Sequence, residues 1–299
     1  MDSRPNLFIA GFAKSGTTVL AEYLSQHPQI FVPALKEPNF FYHFDNDPLW
    51  LNPSSLIIRY NIKEYNNLYK NKYDYKYRVD GSVSYTYHKD VAKRIKEYNN
   101  SAIVILVIRE QLQRIVSAYG YTYPFHKIDD INKWIETHLR PQLDTFLMYE
   151  KVVEYHKIFG NKLIILHNND LRYDPQNTLT SLFYRLGLDP INIKEIETNI
   201  PITIRINNKV IKKIFSSLGR NYWRGRVLAK SIGLENEYVK CVEPIRSLLI
   251  KLFSNTKNTK SLIERIPKDI ANIVNEDYIN TVRYITYNRL LLKHKDNYA

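Results

Sequence analysis

"NLFIAGFAKSGTTVLAEYLSQH", residues 6–27, decides how the rest of the chain is read. Its opening, Asn6 to Gly11, is a short apolar run closed by glycine, the pattern of a buried strand. From Thr17 onward, Val19, Leu20, Tyr23 and Leu24 recur at helical spacing. Between the two, Gly11 and Gly16 are separated as in the nucleotide-triphosphate loop G-x-x-x-x-G-K-[ST]. The position at which that loop carries its lysine is Thr17, and the nearby lysine, Lys14, falls inside the loop. A strand, a tight turn and a helix start aim backbone N–H groups and the positive end of a helix dipole at one point. The stretch therefore predicts an anion site built from Ala13, Lys14, Ser15, Gly16, Thr17 and Thr18. An ordinary strand–turn–helix connection has no need of a cation and three hydroxyls within Lys14–Thr18.

The segments that follow alternate in the same way. "YKYRVDGS" (75–82), "AIVILVI" (102–108) and "NKLIILHNN" (161–169) read as strands. "HKDVAKRIKEYN" (88–99), the segment through "QLQRIVSAYGY" (111–121), and "DPQNTLTSLFYRLGL" (174–188) read as helices, the last with an Asp-Pro start and a Gly187 stop. "PQLDTFLMYEKVVEYHKIFG" (141–160) is expected to form one long helix closed by Gly160. Alternation of this kind predicts βα units around a mostly parallel sheet, with ligands at the carboxyl ends of the strands. The last hundred residues are expected to be mainly helical.

With 299 residues, 44% of them hydrophobic and 24% charged, the chain has the composition of a globular protein large enough for a full core. The net charge of +13 favours an anionic ligand or an acidic partner. Nucleic acid is not expected, because no zinc-finger spacing or RNP-type motif accompanies the charge. The single cysteine, Cys241, excludes an intramolecular disulfide and fits a reducing compartment. The N-terminus has no apolar core of signal-peptide length, and Ala102–Ile108 is too short to span a bilayer. A cytoplasmic chain without an integral membrane segment is the expectation. Its oligomeric state is not legible.

Three blocks in order resemble the sulfotransferases that use 3′-phosphoadenosine-5′-phosphosulfate. "GFAKSGTTVLAEYLSQHPQI" (11–30) is similar to that family's 5′-phosphosulfate loop and following helix. "VIREQLQRIVSAY" (107–119) is similar to its second signature, a strand ending in arginine with a serine eight residues on. "NNDLRYDPQNTLTSLFYRLGL" (168–188) is similar to the acidic-Leu, Asp-Pro, helix, Leu-Gly segment that follows. The resemblance spans roughly residues 6–190. It implies a single three-layer α/β domain of the P-loop NTPase-like type over 1–299, with its core at 6–190 and a helical C-terminal portion at 191–299. It also implies transfer of a sulfuryl group from that donor to a hydroxyl or amine of a carbohydrate or small natural product, leaving adenosine 3′,5′-bisphosphate, with no metal.

This donor has no γ-phosphate, which accounts for the missing loop lysine. The backbone and hydroxyls of residues 13–18 can cradle the 5′-phosphate, and Lys14 can neutralise the bridging oxygen that gains charge as the sulfuryl group departs. Arg109 ends an apolar run, so it stands at the carboxyl edge of the sheet, with Ser117 about two helical turns further on. A guanidinium fork and a hydroxyl suit the 3′-phosphate; an arginine capping a strand and a serine on a helix face is the bland alternative. The family's Asn-Pro or Asp-Pro after the arginine is Glu110-Gln111 here.

"ALKEPNFF" (34–41) resembles the carbohydrate branch, where a glutamate ahead of an aromatic pair deprotonates the acceptor; Glu37 matches it. His43 and His88 are the competing bases. "DGSVSYTYH" (80–88) departs from the family, because the lysine some members use falls on Gly81 and the proline on Val83. That leaves Lys14 as the leaving-group cation, alone or with Lys36. Ser82 and Tyr85 suit substrate contact and packing equally. Aromatic-rich 39–51 and 119–134 are expected to select a glycan or flat small-molecule acceptor, or to pack in the core. In "NNKVIKKIFSSLGRNYWRGRVLAKS" (207–231), Val210, Ile211, Ile214, Phe215 and Leu218 form one helical face opposite Lys209, Lys212 and Lys213, which reads as a core-docked helix with a solvated basic face. The functional alternatives are that Arg205 or the Arg224–Arg226 loop closes over the donor's adenosine and 3′-phosphate, or that the helix lies on a membrane surface. Two rivals share these features in part: a magnesium-dependent phosphotransferase or NTPase of the same fold, and a non-enzymatic polyanion-binding module.

Overall fold

The computed structural model describes residues 3–34, 37–42, 60–126, 128–196 and 259–292, with scattered positions between 225 and 244. Within these, the apolar runs form five parallel strands: β1 (Leu7–Gly11), β2 (Ile30–Phe31), β3 (Tyr77–Asp80), β4 (Ile103–Ile108) and β5 (Leu163–His167). Their order is β2-β3-β1-β4-β5, so the chain starts in the middle, fills one flank and then crosses to the other. Crossing over beside β1 creates the switch point at which such sheets bind ligands. The fold class expected from the sequence is the one observed.

The side-chain period of two explains the layers. Leu7, Ile9, Ile105, Val107, Ile164 and Leu166 enter one buried cluster, and Phe8, Ala10, Val104, Leu106, Ile108 and Ile165 enter another. Helix α1 (Thr17–Leu24) covers the first face, and helices α2 (Ile62–Asn67) and α3 (Val91–Tyr98) the second. Because both faces are covered, β1, β2 and β4 are apolar throughout rather than alternating, whereas β3 carries the buried Arg78 and Asp80.

Helix α4 (Gln111–His126) follows β4, and α5 (Ile131–Trp134) and α6 (Leu143–Phe146) follow it. The single helix expected over 141–160 is divided: α7 runs Tyr149–Phe159, after an extended Leu147. The cause lies far along the chain. Asp277 accepts the N–H groups of Met148 (2.8 Å) and Tyr149 (3.1 Å), so its carboxylate caps a new helix start. Gly160 closes α7 with a positive φ, as expected. Helix α8 (Asn168–Tyr173) follows β5 directly, and α9 (Pro175–Arg185) starts at Asp174 and stops before Gly187 (φ 65°).

Two C-terminal helices, α10 (Thr259–Ile263) and α11 (Lys268–Tyr287), pack against α4. Leu262, Ile266, Ile270 and Val274 share a third buried cluster with Ile115, Val116, Trp134 and Ala13 of the loop after β1. The basic helix expected near 207–231 lies almost wholly outside the described residues. Among the described residues, no helix is long and apolar enough to cross a membrane.

Candidate active site

The loop between β1 and α1 turns tightly, with Ser15 N–H donating to Phe12 O (3.2 Å), Lys14 at φ 65° and Gly16 at φ 96°. Three consecutive carbonyls of this loop are held from outside. Arg114 Nε donates to Ala13 O (3.2 Å), Arg109 Nη1 to Lys14 O (3.1 Å) and Asn168 Nδ2 to Ser15 O (2.8 Å). With the carbonyl dipoles anchored to cations and an amide, the concave side is left to N–H groups and hydroxyls, the polarity an anion requires. Gly16 caps α1 without a side-chain acceptor, and a Cβ there would lie 2.6 Å from Asn168 Nδ2. Glycine is therefore needed twice over, for its positive φ and for the approach of Asn168. The Ser15 hydroxyl is fully buried and has no hydrogen-bond partner. A buried, unsatisfied hydroxyl is costly unless a ligand completes it.

Lys14 is half-buried, and its Nζ lies 3.8 Å from the ring centre of Tyr121 on α4. A cation over an aromatic face is attracted by the ring quadrupole, which restrains an otherwise mobile side chain. Thr17 is buried and Thr18 exposed at the start of α1. Arg109 is buried at the end of β4, where Gln113 Oε1 accepts from its Nε (3.4 Å) and Nη2 (3.2 Å). Burial first, and then the charge of Arg172 on α8, hold the Arg109 pKa below the ordinary guanidinium range. Arg109, bonded to Lys14 O, and Arg172 both add positive potential on this side of the sheet. Ser117 is buried on α4.

Glu37 is positioned by a network rooted at the end of β3. Asp80 is fully buried and accepts from Tyr65 (2.7 Å), Tyr85 (2.7 Å) and Ser82 (2.6 Å). Ser82 Oγ in turn accepts Asn39 N–H (3.0 Å), while Ser84 donates to Asn39 Oδ1 (2.6 Å). Asn39 Nδ2 donates back to Glu37 O (2.8 Å), and both residues have positive φ. Burial pushes the Asp80 carboxyl up to about 6; its three hydrogen bonds oppose this and the charge of Glu37 adds to it. Tyr87 packs edge-on against Tyr42 (6.0 Å) and against the cluster that holds Ala13. Burial first, then the Glu37 carboxylate, push its hydroxyl well above the usual range, with Arg114 opposing and Tyr121 within electrostatic reach.

Several sequence expectations resolve toward packing. Phe40 stacks on Tyr65 (centroids 4.3 Å apart), and Phe41 packs edge-on against Phe8, Tyr85 and Tyr98. Tyr119 packs on Trp134 in the third cluster, while Tyr121 of the same segment meets the loop at Lys14. The Ser82 and Tyr85 hydroxyls are committed to Asp80. His88 is exposed, facing Asp90 at 3.9 Å. His43, Lys36, Arg205, Arg224 and Arg226 lie outside the described residues. Sequence reasoning missed Arg114, Asn168, Tyr121 and Arg172. Asn168 carried a signal, since it follows a buried strand at the carboxyl edge as Arg109 does.

The sulfotransferase domain family matches residues 4–201, about two thirds of the chain, and the chain belongs to that family. It is 26% identical over 181 residues to heparan sulfate glucosamine 3-O-sulfotransferase 5 of Mus musculus and, equally, to that of Homo sapiens. Each alignment covers 54% of this chain and 49% of the relative, so the chain matches about half the length of either. A solved sulfotransferase from Alicyclobacillus acidocaldarius superposes with a TM-score of 0.58 at 22% identity, covering 75% of this chain and 95% of that one. That likeness agrees with the parallel sheet and its flanking helices.

Proposed function

We propose that this chain transfers a sulfuryl group from 3′-phosphoadenosine-5′-phosphosulfate to a hydroxyl or amine of a glycan or small natural product. What supports the donor above all is the loop after β1, with three carbonyls drawn away, a buried Ser15 hydroxyl left unpartnered, and Thr17 where a γ-phosphate-reading lysine would stand. Family membership points the same way. In this reading Ala13 to Thr18 cradle the 5′-phosphate, and Arg109, Ser117 and Arg172 receive the 3′-phosphate. The acceptor's lone pair forms a bond to sulfur as the bond from sulfur to the bridging oxygen breaks in line. Lys14 stabilises the charge that collects on that oxygen, an interaction strongest in the transition state. The acceptor's proton passes to Glu37, whose loop is fixed through Asn39 and Ser82. Aromatic packing of Phe40 and Phe41 anchors that loop rather than forming an acceptor platform. No metal enters the scheme. The same reading treats the chain as one domain, because α10 and α11 share a buried cluster with the loop.

The donor is tested by calorimetry with adenosine 3′,5′-bisphosphate against ATP and magnesium. Preference for the bisphosphate, followed by transfer of labelled sulfate to members of a glycan and phenol panel, is the expected result. Tight, magnesium-dependent ATP binding would instead mark a phosphotransferase. Salt-sensitive polyanion binding that survives Lys14→Ala, without transfer, would mark a binding module.

A further inference from the structure

Arg114 is a fully buried guanidinium whose direct partners are neutral. Its Nη1 donates to Gln111 Oε1 (2.6 Å) and Phe146 O (3.0 Å), its Nε to Ala13 O (3.2 Å), and its guanidinium carbon lies 4.1 Å from the centre of the Phe146 ring. The nearest bonded carboxylate is reached through Gln111, whose Nε2 donates to Asp277 Oδ2. Asp277 belongs to α11 and caps α7 with its remaining capacity. One hydrogen-bonded chain thus runs from α11 through Gln111 and Arg114 to the loop after β1.

A buried ion pair adds little to stability against an apolar replacement, and a buried cation served by neutral oxygens adds less. What this cation does have is a planar fork that fixes several directions at once. One prong of the fork pulls the Ala13 carbonyl off the concave side of the loop. We infer that Arg114 is a positioning residue for the donor cradle, and that α11, through Asp277 and Gln111, sets where it points. The inference rests on the donor reading above. It makes the C-terminal helix part of the donor site without contact to the donor, so α11 governs cradle geometry as well as core packing.

Arg78 supplies a matched control. It is also buried and donates to backbone carbonyls, Arg4 O (2.8 Å) and Tyr75 O (2.6 Å), but it lies on β3 away from the loop. Arg114→Lys and Arg78→Lys are compared in the full chain for melting temperature, adenosine 3′,5′-bisphosphate affinity and kcat per folded molecule. Lysine keeps the charge in both and loses the fork. Both variants are expected to melt lower. Only Arg114→Lys should lose affinity and kcat, by roughly 10- to 100-fold, the scale of a small misplacement in a reacting geometry. Should Arg114→Lys fail to fold, Gln111→Leu breaks the chain while leaving Arg114, and the same losses are expected at smaller size. Unchanged affinity and kcat in the folded variant, or equal losses in Arg78→Lys, overturn the positioning role. A wild-type chain that does not bind the bisphosphate overturns the donor reading itself, a separate and distinguishable failure.

Discussion

The loop after β1 and the loop that carries Glu37 are both held by distant side chains, but with opposite polarity. Around the first, donors from Arg109, Arg114 and Asn168 take hold of backbone oxygens. Around the second, the buried carboxylate of Asp80 collects three hydroxyl donors, one of which also accepts from the Asn39 backbone. Fixing carbonyls leaves N–H groups to face a ligand, so the first arrangement makes an anion receptor. Its bracing groups, guanidinium and amide, do not titrate near neutrality. The second depends on a carboxyl pushed up to about 6 by burial, so it does titrate. One wall of the site is electrostatically rigid and the other is pH-dependent.

The largest expected effect separates chemistry from binding within the first loop. Lys14→Ala should lower kcat by roughly 10²- to 10³-fold, as removal of a group facing developing charge does, while adenosine 3′,5′-bisphosphate affinity falls less. Single-turnover kinetics and calorimetry measure the two. A variant with near-normal kcat would reduce Lys14 to a loop lysine resting on Tyr121. On the other side, Glu37→Gln keeps the shape and removes the basicity, so kcat should drop by about 10²-fold with donor-product binding intact. His88→Gln should do far less, since His88 is exposed and faces Asp90. An inactive His88→Gln beside an active Glu37→Gln would move the base to His88.

Arg109 tests whether bracing and ligand reading are separable. Its Nη1 is engaged by Lys14 O, and its other nitrogens by Gln113, a neutral group that a phosphate can displace. Arg109→Ala should weaken adenosine 3′,5′-bisphosphate more than adenosine 5′-phosphate, by about 1.5–3 kcal/mol for a charge-assisted contact in a partly shielded site. Equal loss for both ligands would make Arg109 a brace alone.

What was legible in the sequence was local. The spacing of Gly11 and Gly16 and the apolar run before Arg109 are short-range patterns, and the structure has the strand, turn and helix start there. The braces were not legible as a set, because Arg109, Arg114 and Asn168 reach the loop across sequence separations of 95, 101 and 153. No periodicity records such a contact. The divided helix has the same cause, since the cap that restarts it comes from Asp277, 129 positions from Met148. For the aromatic segments, composition left substrate contact and packing equally open. Tertiary contacts place Phe41, Tyr119 and Trp134 in the core and leave Tyr121 at Lys14.

The smallest expected effect is on stability, and it probes the titrating wall directly. The folded pKa of Asp80, about 6, stands above the ordinary value of 3.8. Between those values the native state binds the proton more strongly than the unfolded chain, so linkage makes the protein less stable as pH rises through that window. The contribution is fully present below the ordinary value and lost once pH has passed through about 6. Other groups titrate in the same range, so the informative quantity is wild type minus Asp80→Asn, from denaturant unfolding between about pH 4 and 7. Asparagine costs a hydrogen bond at every pH, which shifts the difference by a constant. Its slope belongs to the carboxyl. Wild type should lose on the order of 1–2 kcal/mol relative to the variant across the window. A flat difference would mean that the three hydroxyl donors hold Asp80 ionised throughout. Both loops would then be equally insensitive to pH, and the contrast between them would lie in polarity alone.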